Sequence, residues 1–134
     1  MKQPIPIGPG VSFWPFPDGD VKPHPYFVIS KLVRGNVLVV NITDAVLENG
    51  DNFFDLTCIL QHGEHPFVLK KSAVYYKKAR RHEAHKIGHA LANFPQVVRH
   101  GPDLDAKLLA RIVEGARKSN HMIDGLLEEF GLKI

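Results

Sequence analysis

"YFVISKLVRGNVLVVNIT", residues 26–43, holds two runs of β-branched and aromatic residues separated by "RGN". Such residues favour strands because their side chains pack well on a pleated surface. A three-residue break in which Gly35 can take positive φ reads as a hairpin. Strands are therefore predicted over 26–33 and 37–43. Upstream, "VSFWPF" (11–16) is a short strand that Pro15 places at an edge or ends early, since proline offers no N–H to a ladder. Downstream, "FFDLTCIL" (53–60) reads as a strand, "QHGEHP" (61–66) as a turn and "FVLKKSAVYYKKA" (67–79) as a long final strand. "PDGDVKPHP" (17–25) and "DAVLENGDN" (44–52) carry loop chemistry. "MKQPIPIGPG" has too much proline and glycine for a regular ladder and is read as an arm. About five strands with turns between them predict a small barrel or sandwich in place of alternating β-α units.

The hydrophobic period changes after Arg81. In "HEAHKIGHALANF" (82–94), Ala84, Ile87, Leu91 and Phe94 recur at helical spacing, with His82, His85 and His89 on roughly the opposite face. "PDLDAKLLARIVEGARK" (102–118) is a second helix, opened by Pro102 and Asp103, with Leu104, Leu108, Ile112 and Ala116 on one stripe and Lys107, Arg111 and Lys118 on another. Ser119 is placed to cap a third short helix whose Met122, Ile123, Leu126, Leu127 and Phe130 face inward. The fold class expected is therefore α+β.

Composition bounds the rest. A chain of 134 residues is about one domain's worth, and 44% apolar with 23% charged residues suits a packed core. The single Cys58 has no partner for an internal disulfide, and neither a charged-then-apolar leader nor a long apolar run is read, so a cytoplasmic location with no membrane association is expected. Net charge is only +3, but Lys70, Lys71, Lys77, Lys78, Arg80, Arg81 and Lys86 crowd into residues 70–86 beside one acid, Glu83. Positive potential is therefore concentrated near the middle of the chain.

The aromatic first strand followed by "HPYFVIS", "VLVVNITD" and "LKKSAVYYKKAR" resembles, in order and spacing over residues 11–81, the PemK/MazF-like toxins of bacterial toxin-antitoxin modules. The resemblance implies a small SH3-like β-barrel domain at 1–81; the helical periods at 82–134 are read as a C-terminal extension packed on it. It also implies a homodimer, single-stranded RNA as substrate, a cognate antitoxin protein as partner, and cleavage with neither metal nor cofactor. Thr43 matches the family's catalytic threonine or serine, Ser72 its serine on the late strand, and Arg80 an arginine beyond it. Where the family usually has Arg-Pro, this chain has His24-Pro25, and the family lacks a helical tail of this length.

Cleaving RNA through its own 2′-hydroxyl requires a base for that proton, an acid for the departing 5′-oxygen, and positive charge beside the phosphorane. Histidine serves both proton roles near neutrality, so His24 and His65 are the candidate pair. Thr43 and Ser72 hydroxyls suit a nonbridging phosphate oxygen. Lys70, Lys71, Lys78, Arg80 and Arg81 are the candidate RNA-binding cations, and Trp14, Tyr26, Tyr75 and Tyr76 are candidates for stacking on bases. Each has a plain structural alternative. A His-Pro pair is also an extended step into a strand, Thr43-Asp44 a turn pair, and Ser72 a strand hydroxyl bonded to backbone. Cys58, His62 and His65, or His82, His85 and His89, offer metal-ligand types, but structural zinc sites usually show paired cysteines, so no metal is expected. The alternative function is a noncatalytic nucleic-acid-binding or protein-interaction module on the same barrel.

Overall fold

The structure, a computed structural model, describes residues 1–16, 23–45 and 55–134. The expected loops 17–25 and 44–52 and the start of the expected strand 53–60 fall partly outside them. Elements follow the order β1 (Ser12–Pro15), β2 (Tyr26–Val28), β3 (Asn36–Asp44), β4 (Ile59–Leu60), β5 (Ser72–Glu83), α1 (Ala84–Asn93), β6 (Val98–His100), α2 (Ala106–Lys118) and α3 (Asp124–Glu129). The strands form one antiparallel sheet in the order β4-β5-β3-β2-β1-β6, curled into a half-barrel. The α+β class expected from the sequence is what the chain adopts.

β3 lies between β2 and β5, and its side chains divide between two cores. Leu38, Val40 and Ile42 join Phe27, Tyr76 and the apolar stripe of α2 and α3. Val37 and Val39 join Val11, Phe13 and α1. Both faces of this strand are covered, which is why it reads as an unbroken apolar run and not as an alternation. The N-terminal arm lies over α1: the Ile5 N–H donates to the Gly88 carbonyl at 3.1 Å, and Ile5 and Ile7 pack against the α1-side core. Gly88 allows that approach, since a Cβ there would run into the Ile5 backbone.

The turn of the hairpin is tighter than predicted. Val33 and Asn36 exchange both backbone hydrogen bonds, at 2.8 and 2.9 Å, leaving Arg34 and Gly35 as a two-residue turn. Both have positive φ, 50° and 81°, the handedness that matches strand twist. The first strand is also shorter than 26–33. Ser30 Oγ, not a backbone carbonyl, accepts from the Leu38 N–H at 2.8 Å, and the ladder breaks there.

β5 starts at Ser72 and not at 67, because 61–69 is a folded turn: the Val68 N–H donates to the His65 carbonyl and the Gly63 N–H to the Val68 carbonyl. The strand then runs on to Glu83, so the expected helix at 82–94 begins only at Ala84. Midway, Val39 and Asn41, two residues apart, face Arg80 and Tyr75, five apart. This wide bulge leaves Lys77 and Lys78 both exposed. Tyr75 and Tyr76 do diverge, as alternation requires: Tyr75 is half-buried, while Tyr76 is buried and donates its hydroxyl to the Ile112 carbonyl at 2.7 Å.

After α1 the chain adds β6, which pairs with β1. No strand is predicted at 98–100, since three residues carry no readable period. Residues 82–134 thus supply an edge strand as well as helices. α2 opens later than predicted: Asp105, not Asp103, caps it by accepting from the Leu108 N–H at 2.7 Å, but Leu104, Leu108, Ile112 and Ala116 are buried as expected. Ser119 does not cap α3. Its hydroxyl donates to Asp55 and accepts from the His121 N–H, which ties the end of α2 to the 55–57 turn. Ile123, expected inward, is exposed. Among the described residues no helix is long and apolar enough to cross a membrane.

Candidate active site

The segment before β2 is held at both sides of His24. The Pro23 carbonyl accepts from the Trp14 indole N–H at 3.4 Å, and the Pro25 carbonyl accepts from the Ile42 N–H at 3.1 Å. His24 is therefore carried on a strip anchored to β1 and to β3. Thr43 lies opposite Ala73, and Asp44 ends β3 opposite Ser72 at the start of β5. The Ala45 N–H donates to the Lys71 carbonyl at 3.0 Å, and the Ser72 hydroxyl donates to the Lys70 carbonyl at 2.8 Å. These two bonds fix the 70–72 turn against the end of β3.

His24, Thr43, Asp44, Lys70 and Ser72 consequently line one cleft of about 220 Å³, walled by Trp14, Ile42, Phe67 and Leu69. Trp14 and Phe67 meet edge to face at 5.4 Å. Arg99, on β6, lies over the Phe67 ring at 5.6 Å, a contact invisible to sequence reading because β6 was not expected. Lys70 Nζ is 2.9 Å from Asp44 Oδ2, with the lysine side chain 61% exposed. Exposed pairs of this kind are worth about 0–1 kcal/mol, so separating the ammonium from Asp44 costs little.

The hydroxyls are less equivalent than their sequence positions imply. Directly paired residues share a face, so Asp44 and Ser72 point to one side of the sheet and Thr43, with Ala73, to the other. Thr43 is 8% exposed and borders the cleft from the other side of β3. Ser72 is 4% exposed and its proton is used within the turn.

His65 is absent from the cleft lining. Its imidazole is buried, with Nε2 2.8 Å from the Pro102 carbonyl and Nδ1 accepting from the Phe67 N–H at 3.0 Å. The Nε2 contact fixes the tautomer, since a carbonyl can only accept, and both ring nitrogens are thereby occupied. It joins the 61–69 turn to the start of the α2 segment and stacks edgewise on Phe27 and Phe67.

The cations separate as well. Lys71 is exposed beside Lys70, and Lys78 is exposed in the β5 bulge. Arg80 is exposed opposite Val39, about 10 Å along β3 from the nearest cleft residue, Ile42, at ~3.4 Å per residue. Arg81 turns to the other face and makes a two-pronged pair with Glu129 at 2.8 and 2.9 Å. That guanidinium holds the Glu129 carboxyl below its ordinary range. Among the described residues no group of three or more His, Cys, Asp or Glu is placed to hold a metal ion. No family model, curated protein or solved structure matches the chain.

Proposed function

We propose that the half-barrel is of the SH3-like, PemK/MazF type and that the cleft binds single-stranded RNA and cleaves it by attack of the 2′-hydroxyl on the adjacent phosphorus. Support comes chiefly from one observation: His24, Thr43 and Ser72, distant in sequence, line the same cleft beside Lys70. His24 takes the 2′ proton as the 2′ oxygen bonds to phosphorus, and the 5′ oxygen leaves with a proton from solvent, to which His24 then returns its own. Lys70 swings from Asp44 to the phosphorane oxygens, and Ser72 holds the turn that presents Lys70, while Thr43, directed to the other side of β3, has no contact with the phosphate. Trp14, half-buried on the cleft wall with Phe67 packed behind it, stacks on or flanks an unpaired base. Lys71, Lys78 and Arg80 extend the positive path beyond the cleft, while Arg81 is committed to Glu129. On this reading the partners are RNA and a cognate antitoxin that covers the cleft, and the chain acts as a homodimer in the cytoplasm.

With His65 committed elsewhere, the reaction has one imidazole where two would serve. A positioned acid or base contributes about 10²–10⁴-fold, so turnover should be slow. The experiment is incubation of the folded protein with mixed single-stranded RNA in EDTA, wild type beside His24→Ala. Fragments from the wild type and a loss of at least about 10²-fold in the variant are expected; intact RNA at high protein concentration contradicts the proposal. The engaged Ser72 proton and the missing second imidazole favour one other reading, a noncatalytic RNA-binding module. Retardation of RNA that weakens steeply with salt, with no fragments, is its signature.

A further inference from the structure

We propose that His85 and His89 on α1 form a two-ligand site for a divalent transition-metal ion of the Cu²⁺, Ni²⁺ or Zn²⁺ class. α1 buries Ala84, Ile87, Gly88 and Leu91 against the sheet, which leaves 85 and 89 together on its outer side. Residues four apart on a helix lie one above the other. Here the two imidazoles are nearly parallel, 19° apart, with centroids separated by 6.4 Å.

Ring nitrogens bonded to one such ion at about 2.0–2.1 Å stand roughly 3 Å from each other. Turning the exposed His85 side chain about its own bonds reaches that spacing with no movement of the helix. His89 is the fixed partner. Phe94 meets its ring edgewise at 5.6 Å, and Asn93 sits beside its Nδ1 at 3.4 Å. Asn93 is itself held by the arm, accepting from the Lys2 N–H at 2.7 Å and donating to the Lys2 carbonyl at 3.0 Å. Nε2 of His89 is left as the ligating atom. The Asn93 amide donates to the Lys2 and His89 carbonyls at 3.0 and 3.1 Å, which uses both its hydrogens, so its 3.4 Å contact with Nδ1 does not lock the tautomer.

Two neutral imidazoles select borderline metals over Mg²⁺ or Ca²⁺, which require oxygen donors. Water completes the coordination, so affinity is modest. The ion clamps one turn of α1 next to the arm and stabilises the folded chain by mass action. Because α1 packs on the sheet face opposite Ile42 and Phe67, the ion stays clear of the cleft, and the proposed RNA chemistry remains metal-independent.

The test is calorimetric titration and thermal unfolding of the full chain with NiCl₂, in wild type, His85→Asn and His89→Gln. One saturable ion per chain and a raised unfolding midpoint are expected in the wild type. Each single variant should bind at least about tenfold more weakly, since even partners outside the coordination sphere are worth that much, and MgCl₂ should shift nothing. Absence of saturable binding by the wild type overturns the proposal. So does unchanged affinity in both variants, which would assign the ion to another histidine such as His62, His100 or His121.

Discussion

The histidines were hard to separate by sequence because two of them occur in the same dipeptide. His24-Pro25 and His65-Pro66 look alike as text, yet one is carried into an open cleft and the other is turned into the core. What distinguishes them is the tertiary partner, the Pro102 carbonyl 37 residues further on, and no local pattern encodes it. His65→Ala strands that carbonyl and the Phe67 N–H and leaves a hole between Phe27 and Phe67. A loss of about 2–4 kcal/mol is expected, measured as a shift in the urea midpoint; a loss under about 0.5 kcal/mol would mean that the histidine is not structural. His82 yields a pH effect. Burial, with Arg80 beside it, pushes its imidazole below the ordinary 6.5, so folding favours the neutral ring. The unfolded chain takes up the proton first, and stability present above 6.5 should fall as pH drops through the lower folded value. His82→Gln should flatten the profile in that window. Asp55, Glu64 and Glu129, lowered from 3.8, 4.5 and 4.5, act in the same direction only at more acidic pH.

At the scale of elements, strong periodicity was legible and long-range ties were not. The β2–β3 hairpin, the buried stripe of α2 and the divergence of Tyr75 from Tyr76 all follow from local pattern. The Ser30 hydroxyl that replaces a ladder carbonyl, the β5 bulge and the three-residue β6 depend on neighbours far along the chain. The contact between α2 and β5 belongs to the second kind. Gly115 lies so close to the sheet that an added Cβ would stand 2.9 Å from Cys58 Cβ and press on the Tyr76 hydroxyl. Glycine to alanine inside a helix is ordinarily stabilising by about 1 kcal/mol. Here Gly115→Ala should instead destabilise by about 1–3 kcal/mol through overpacking, visible in thermal unfolding. A stabilised variant would show that α2 has room to lift.

Across the whole molecule, α1 and the arm cover one sheet face while α2 and α3 cover the other. The cleft opens at the end of the sheet where β3 stops and β5 begins. Convergence of His24, Thr43 and Ser72 was legible only as an expectation from ordered strands, since three segments had to meet. Nothing in composition could show that His65 stays behind. The division of labour proposed for the cleft requires the attacking group to come from the RNA itself. The most direct measurement is therefore the chemistry of the ends, with EDTA present, on an oligonucleotide and on its copy lacking the 2′-hydroxyls. Cleavage of the RNA to 2′,3′-cyclic phosphate ends, with the deoxy copy untouched, is the expected result. Equal cutting of both strands, or no cutting of either by folded protein, would contradict it.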